Sequence, residues 1–553
     1  MRKPQITLWL LSALSVLLLS LPWLVPHTGA LALVAFVPLL LADALSDEYR
    51  VRAKWLFPAA VFVAWNAATT FWVCNATVGG GIFAILANAA QMMLMWLLFR
   101  LARKKLPGVL PYVFLAAMWM AWERHYFDVD ISWPWLTLGG AFAQSTRTVQ
   151  WYEYTGMLGG SLWIWVANLG IYGLIVAVLD GRWQKWNGLA RGCASVGILL
   201  VIAGPVVASK LIWSSYEERS EGTVEVVVGQ PNFDPYEKFQ SLSQDEQTSI
   251  LLDLFDGALA SRPAGKSVLT PQKSEISGDP VLLLAPETFT GDLVLNDPEN
   301  SRTLQRIRAF LREHPGAEIL FGATSYDIYR THASPTILAR PYGEGWIVSH
   351  NSAVMADAAD FFEIYHKSKL VVGTELTPYP RIFVPLDNWL SKKMGVSGLM
   401  ARCVGQDERT LLHFGDVPLG CAICYESIYG EFCTEYVRAG AQAMTIITND
   451  AWWGNTPGYR QHLSYARLRA IELRRDIARC GNTGISAFID QRGEILSQSE
   501  WWTRQTLSGE VNLNSEQTAF VRHGDIPGRV CTLLFLLLAA VLLVSLFIPG
   551  KKR

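Results

Sequence analysis

Apolar runs long enough to cross a bilayer crowd into the first 215 residues, reappear once near the end, and are absent from about 220 to 525. A chain patterned this way cannot close around one water-soluble core; it must divide into a helical membrane part and a large part that folds in water. The runs are Leu8–Val25, Ala30–Leu45, Trp55–Val73, Gly81–Leu101, Val109–Trp122, Leu158–Leu179, Cys193–Trp213 and Val530–Ile548, eight in all, with the second and fifth short or charge-bearing. Apolar residues make up 51% of the 553 and charged ones only 17%, in keeping with that division. Three regions are expected: a transmembrane helical domain at 1–215, a catalytic domain at 222–515, and a C-terminal transmembrane helix at 528–549.

Basic residues sit in alternate connections. Arg2 and Lys3 precede the first run; Arg50, Arg52 and Lys54 separate the second and third; Arg100, Arg103, Lys104 and Lys105 the fourth and fifth. Arg182, Lys185 and Arg191 separate the sixth and seventh, and Lys551, Lys552 and Arg553 follow the last. The positive-inside rule makes these segments cytoplasmic. Eight spans then put both termini inside and the 222–515 domain outside. The basic start and apolar first run resemble a secretory signal, but no small-residue cleavage site follows and further spans come after, so the run reads as a retained anchor. The connection from Glu123 to Thr155 carries Trp133, Trp135, Trp151, Tyr152 and Tyr154, read either as an interfacial belt or as lipid-binding rings.

In the region 222–515 short β-rich runs alternate with helical periodicity. Val224–Val228, Val281–Ala285, Glu318–Gly322, Ala353–Ala356, Leu419–Cys424, Met444–Thr448 and Ile485–Ile489 read as strands, and Phe239–Ala260, Ser301–His314 and His462–Arg479 as helices. Ser261 to Pro280 reads as a polar loop. Apolar strands interleaved with helices indicate an α/β domain whose sheet faces are covered. Cys403, Cys421, Cys424, Cys433 and Cys480 fall in this domain, and an odd number leaves at least one thiol unpaired in an oxidising compartment.

Three strands end in reactive groups. Val281–Ala285 runs into Pro286-Glu287, Phe361–Tyr365 into His366-Lys367, and Val417–Ile423 into Cys424, with a helix-like segment Phe432 to Ala441 behind it. Acyl transfer through a covalent intermediate needs a nucleophile, which a thiolate supplies, and a carboxylate to carry its proton. The tetrahedral intermediate needs a fixed cation and backbone N–H groups facing its oxyanion. Cys424, Glu287 and Lys367 fit these parts, with the amide of Tyr425 as a further donor. Competing readings are a redox dithiol or half a zinc site from Cys421 and Cys424, a Cys–His pair with His462, and Lys369 in place of Lys367 on the same side of a strand. The arginines of 466–479 could bind lipid phosphate; a solvated or salt-bridging face is the reading favoured. The segment Leu376 to Cys403, with Tyr379, Phe383, Trp389, Leu390, Lys392, Lys393, Leu399 and Met400, is either an arm at the bilayer surface or a buried loop.

The stretches Pro286-Glu287-Thr288, Tyr365-His366-Lys367-Ser368-Lys369-Leu370 and Ile423-Cys424-Tyr425-Glu426 resemble the Glu-Lys-Cys signature of the carbon–nitrogen hydrolase (nitrilase) superfamily. The spans around them narrow the resemblance to its membrane branch, the apolipoprotein N-acyltransferases. Gln230-Pro231-Asn232, Asn351-Ser352, Thr448 to Gly454, Gln461-His462, Arg467 to Glu472, Asn482-Thr483-Gly484 and Trp133-Pro134-Trp135 continue the match along essentially the whole chain. Ala285 stands where the family has Trp, Lys369 where it has His, and Val372-Gly373-Thr374-Glu375 where it has Pro-Phe-Gly-Glu, departures that fall on the pocket wall.

The resemblance implies a multi-pass α-helical membrane domain of about eight spans and an α/β nitrilase-like α-β-β-α sandwich. It implies catalysis by Glu287, Lys367 and Cys424, with Glu375, Tyr425 and Glu426 in support. The reaction it implies moves a fatty acyl chain from a phospholipid, through a Cys thioester, to the α-amino group of the N-terminal diacylglyceryl-cysteine of apolipoproteins. Lipoprotein biosynthesis in a bacterial inner membrane, with a periplasmic catalytic domain, is the setting expected. No metal, cofactor or nucleic-acid partner is expected. The alternative is a membrane-tethered amidase or nitrilase that hydrolyses a small C–N substrate.

Overall fold

The computed structural model describes residues 3–235, 238, 241–262, 280–359, 362–396 and 400–547. The chain divides into two compact units, one of Met1–Tyr216, Asn455–Ser464 and His523–Arg553, the other of Glu217–Gly454 and Tyr465–Arg522. Ten residues from within the α/β part of the sequence thus group with the helices. Phe239, Phe361, Leu399 and Ile548, and nearly all of the Ser261 to Pro280 loop, lie outside the described residues.

The first unit is helical. Helices Lys3–Leu24, Val78–Lys105, Tyr152–Leu179, Gly188–Ser215 and Ile526–Phe547, together with the continuous segment Gly29–Glu48, are six that are long and apolar enough to cross a membrane. Leu56–Thr70 and Leu110–Tyr126 are shorter and complete the set expected from the eight apolar runs. The second run is not the short one: a 3-10 turn at Gly29–Val34 extends Val37–Glu48 to 20 residues, and the third is the shorter at 15. Polar groups inside this unit are tied to one another, as groups withdrawn from water must be. Asp43 is paired with Arg100 and Arg103 and accepts from Trp96 Nε1 at 3.1 Å. Gln461 accepts from Trp135 Nε1 (2.7 Å) and Trp72 Nε1 (3.3 Å) and donates to the carbonyls of Trp23 and Thr69 (both 3.2 Å). Trp135 and Tyr152, read from sequence as interfacial or lipid-binding rings, are buried, while Tyr154 is exposed. His462 is buried with its ring 5.9 Å from that of Trp135.

The second unit holds fourteen strands among the described residues. They are β1 (Thr223–Gln230), β2 (Val281–Leu284), β3 (Thr290–Val294), β4 (Ala317–Tyr329), β5 (Arg340–Tyr342), β6 (Gly345–Ala356) and β7 (Phe362–His366), then β8 (Leu412–Phe414), β9 (Val417–Ile423), β10 (Ala443–Thr448), β11 (Ile477–Gly481), β12 (Ala487–Ile489), β13 (Ile495–Gln498) and β14 (Gln505–Asn512). One sheet runs β14-β1-β2-β4-β6-β5, with β3 beside β4 and β7 beside β6; the other runs β13-β12-β11-β10-β9-β8. The centres are parallel, β1 with β2 and β4, and β9 with β10 and β11, and antiparallel strands close the edges. The central strands are buried on both faces, as their unbroken apolar runs require.

Helices Gln244–Ala260 and Arg302–Glu313 cover the first sheet, burying Leu251, Phe255, Ile307 and Leu311 against Val227, Leu283 and Ile319. Ser243 caps the first in a reciprocal box with Glu246, and Ser301 caps the second. Gly430–Ala439 lies on the second sheet, where Gly420 leaves room for Tyr436 and Met444. The sheets stack on each other: the Cys480 thiol on β11 meets the Gly229 carbonyl on β1 at 3.4 Å, and Gly509 on β14 sits under the Phe488 ring of β12. The result is the α-β-β-α sandwich expected from sequence.

One helix differs from its expectation. His462–Arg479 is the helix Pro457–Leu473 followed by strand β11. Apart from the half-buried Arg467, its arginines are withdrawn from solvent. Arg469, Arg474, Arg475 and Arg479 are all buried, donating to the carbonyls of Ile428, Gln491, Ala441 and Ile485 respectively. Arg479 also pairs with Asp450 at 2.8 Å and Arg469 with Glu472 at 2.8 Å, so intramolecular pairing is what these residues do.

Candidate functional site

The chemistry-bearing residues of the second unit gather where strands end. Asn232 follows β1, Glu287 follows β2, Lys367 follows β7, Cys424 follows β9, Asn449 and Asp450 follow β10, and Asn482 follows β11. In sheets with parallel centres the carboxyl ends of the strands are where side chains from distant sequence converge. Three of these ends take left-handed backbone at non-glycine residues: Asn232 (φ 55°), Thr288 (φ 48°) and Cys424 (φ 51°). Such strain costs about 1–3 kcal/mol per residue and persists where surrounding structure enforces it. For Glu287-Thr288 the enforcement is visible at Gly322 of β4, where a Cβ would come within 2.5 Å of Glu287 Cα and 2.6 Å of Thr288 N. Only glycine lets β4 lie this close to the turn.

Lys367 is 1% exposed, and its Nζ donates to Glu287 Oε1 at 2.9 Å and to Glu375 Oε1 at 3.0 Å. Asn351 on β6 repeats the bridge, its Nδ2 donating to the same two oxygens at 2.8 and 2.6 Å. The other Glu287 oxygen accepts from the Asn449 amide at 3.1 Å, and Glu375 Oε2 accepts from the Val371 amide at 2.7 Å. Burial works against the charge on Lys367, but Glu287, Glu375 and Cys424 together outweigh it and hold its pKa well above the usual lysine value. Lys367 is thus a permanent, fixed cation. Lys369, the rival in the sequence, is placed elsewhere: β7 stops at His366, the two lysines share no strand face, and Lys369 lies over the Tyr429 ring at 5.2 Å.

Cys424 is 9% exposed and begins a 3-10 turn, Cys424–Ile428. Burial, then Glu287 and Asp450, push its thiol well above the usual value, with Lys367 and the Thr448 hydroxyl pulling partly back. A thiol shifted in this direction is one that a neighbouring base would activate. Asp450 is itself held by Thr448 Oγ1 at 2.8 Å and by Arg479, and the Cβ position of Gly484 lies 2.8 Å from it.

Glu426 is fully buried and joins the two turns. Its Oε1 accepts from Tyr365 Oη and the Ser368 amide (both 2.7 Å) and the Lys369 amide (3.1 Å), while Oε2 accepts from the Ile423 amide at 2.8 Å. The backbone around Lys367 is thereby fixed to the backbone around Cys424. Tyr425, also buried, packs edge-on against Tyr429 at 5.2 Å. Cys421 lies inside β9, where burial pushes its thiol up to about 12, and all eight cysteines are free thiols, so Cys421 and Cys424 are not joined in a disulfide here.

The structure thus brings Glu287, Lys367 and Glu375 into direct contact, places Cys424 within their electrostatic reach, and gives Glu426 a bracing position. Two contributors carry roles the sequence did not assign, Asn351 and the Asn449 amide. Asn449 is held in turn by Asn482, whose Nδ2 donates to Asn449 Oδ1 (3.1 Å) and the Phe233 carbonyl (2.9 Å). The motifs around 232, 449 and 482 are therefore one support for Glu287. Their signal in the sequence was their repeated Asn after an apolar run. The segment after Leu376 is a helix, Pro380–Met394, with Ile382, Trp389 and Met394 exposed and Asp387 buried in an ion pair with Arg402 at 2.6 Å.

Comparison with known proteins falls in step with this arrangement. Residues 283–519 match the carbon-nitrogen hydrolase family, and residues 15–170 match the apolipoprotein N-acyltransferase N-terminal domain. The chain is 28% identical over 520 residues to an apolipoprotein N-acyltransferase of Chlorobaculum tepidum, covering 92% of this chain and 91% of that one. It is 24% identical over 529 residues to an apolipoprotein N-acyltransferase of Geobacter metallireducens, covering 95% and 93%. Among solved structures it resembles Saccharomyces cerevisiae Nit3, a member of branch 10 of the nitrilase superfamily, at 13% identity and a TM-score of 0.37, over 57% of this chain and 97% of that one.

Proposed function

Because the chain belongs to the carbon–nitrogen hydrolase superfamily, in the membrane branch that carries an apolipoprotein N-acyltransferase N-terminal domain, we propose that it N-acylates lipoproteins through a thioester on Cys424. The donor is a phospholipid and the acceptor the α-amino group of an apolipoprotein's N-terminal diacylglyceryl-cysteine. The observation that carries this reading is the ion pair of Lys367 with Glu287 and Glu375 at strand ends, within electrostatic reach of Cys424 in its strained turn.

In the first half-reaction Glu287 takes the thiol proton as Cys424 Sγ attacks the ester carbonyl. The oxyanion is held by Lys367 and the Tyr425 amide. Collapse breaks the ester C–O bond, and Glu287 returns the proton to the departing lysophospholipid oxygen. In the second half the free amine attacks the thioester, Glu287 takes a proton from nitrogen, and the thiolate leaves and is reprotonated. Glu375 orients Lys367, while Tyr425 and Glu426 shape and brace the turn. The charge of the alternate loops supports placing both termini in the cytoplasm and the catalytic domain in the periplasm of a bacterial inner membrane. Since both substrates are lipid-anchored, reaction at the bilayer surface avoids extracting acyl chains, at about 0.8 kcal/mol per CH₂.

Purified full-length protein, mixed with phosphatidylethanolamine and a synthetic diacylglyceryl-cysteinyl peptide, tests this. Amide-linked acylation of the peptide N-terminus that needs both lipid and Cys424 is the expected result. Release of free fatty acid or ammonia, with the peptide unchanged, would move the assignment to a hydrolase.

A further inference from the structure

Lys367 serves two carboxylates, Glu287 and Glu375, so these three groups alone carry one net negative charge in a largely buried setting. An uncompensated charge there is expensive, and a second cation is on the page. Lys238 is only 7% exposed, and its Nζ donates to the carbonyl of Thr288, the left-handed residue directly after Glu287. Its own backbone is fixed at both ends, the amide donating to the Asp234 carbonyl (2.8 Å) and the carbonyl accepting from Gln247 Nε2 (3.0 Å). The amine thus reaches the turn from a residue whose own backbone amide and carbonyl are both bonded.

We propose that Lys238 is a positioning residue for the reaction proposed above: it clamps the Glu287-Thr288 turn and places a second positive charge beside the carboxylate that acts as base. The charged and titratable groups coupled to Glu287 are then Lys367 beyond β7, Glu375 through Lys367, Cys421 and Cys424 from β9, and Lys238 from the segment after β1. Burial draws the Lys238 amine down to about 8, against the pull of Glu287, so its charge is lost just above neutral pH. A positive neighbour favours the charged form of a carboxylate, and removing it disfavours that form.

The test is the pH dependence of Cys424 alkylation by iodoacetamide, followed by peptide mass on full-length protein, beside acylation from phosphatidylethanolamine vesicles. Lys238→Gln keeps a donor and removes the charge; Lys238→Arg keeps both. The proposal expects the acidic limb of both profiles to rise by roughly 1 pH unit in the Gln variant, and to stay at the native position in the Arg variant. Profiles that superimpose, or a loss uniform at every pH in both variants, would overturn it and leave Lys238 a strut. Because alkylation needs no lipid, a shifted alkylation profile without any acyl adduct would uphold Lys238 and count against the acyltransferase reading instead.

Discussion

Two lysines two residues apart are chemically alike, and only their surroundings separate them. Lys367 lies between two carboxylates, whereas Lys369 meets the face of Tyr429. Lys367→Met should therefore lower the acylation rate by about 10²–10³-fold, the usual cost of losing an oxyanion donor. Lys369→Met should cost far less, about tenfold at most, the worth of a cation–ring contact. Single-turnover acylation by phosphatidylethanolamine measures both, and equal losses would contradict the assignment. Asn351 extends the argument: its amide repeats the bridge made by Lys367, so Asn351→Ala should loosen both carboxylates and lower the rate with Cys424 intact.

At the scale of elements, β11 holds the site from behind. Arg479 and Asp450 are both fully buried and paired at 2.8 Å, and Asp450 lies within electrostatic reach of Cys424. Arg479→Ala leaves a buried carboxylate without its partner, which typically costs about 3–5 kcal/mol. A clear drop in the melting temperature of detergent-solubilised protein is expected, while Arg467→Ala, at a partly exposed pair, should change it little.

On β4, burial pushes the Glu318 carboxyl up to about 7, with Asp357 and Glu363 adding to it and the Gly415 amide opposing. A folded-state value above the unfolded one means the folded protein binds the extra proton. Stability contributed by the protonated form is present below the unfolded value and is lost as pH rises toward about 7. Melting temperatures between pH 5 and 8 should fall less in Glu318→Gln than in the native protein.

The strand ends that carry Glu287, Lys367 and Cys424 were legible because each is a short apolar run broken by one polar group. β11 was not legible. Its sequence Ile477-Ala478-Arg479-Cys480-Gly481 carries an arginine whose charge is cancelled by Asp450 from the turn after β10, a pairing no local pattern announces. The same holds for Asn351 and Lys238, whose importance comes from the turn they meet rather than from their neighbours in sequence.

For the whole molecule, the helical unit turns apolar side chains outward. Helix Gly188–Ser215 exposes Leu189, Val196, Leu199, Leu200, Val207 and Leu211, a surface that suits lipid rather than water. Loop charge supplies the orientation, and it makes a direct prediction. A cysteine at Lys104→Cys should react with a membrane-impermeant maleimide only from the cytoplasmic side. One at Arg302→Cys, exposed in the α/β unit, should react from the periplasmic side. The reverse pattern would invert the topology.

The central claim is the covalent intermediate on Cys424, and intact-protein mass spectrometry after incubation with phosphatidylethanolamine tests it most directly. The account predicts an added mass of one fatty acyl chain, released by hydroxylamine and absent from Cys424→Ala. An unmodified protein under conditions where peptide acylation proceeds, or an adduct that survives in Cys424→Ala, would contradict it.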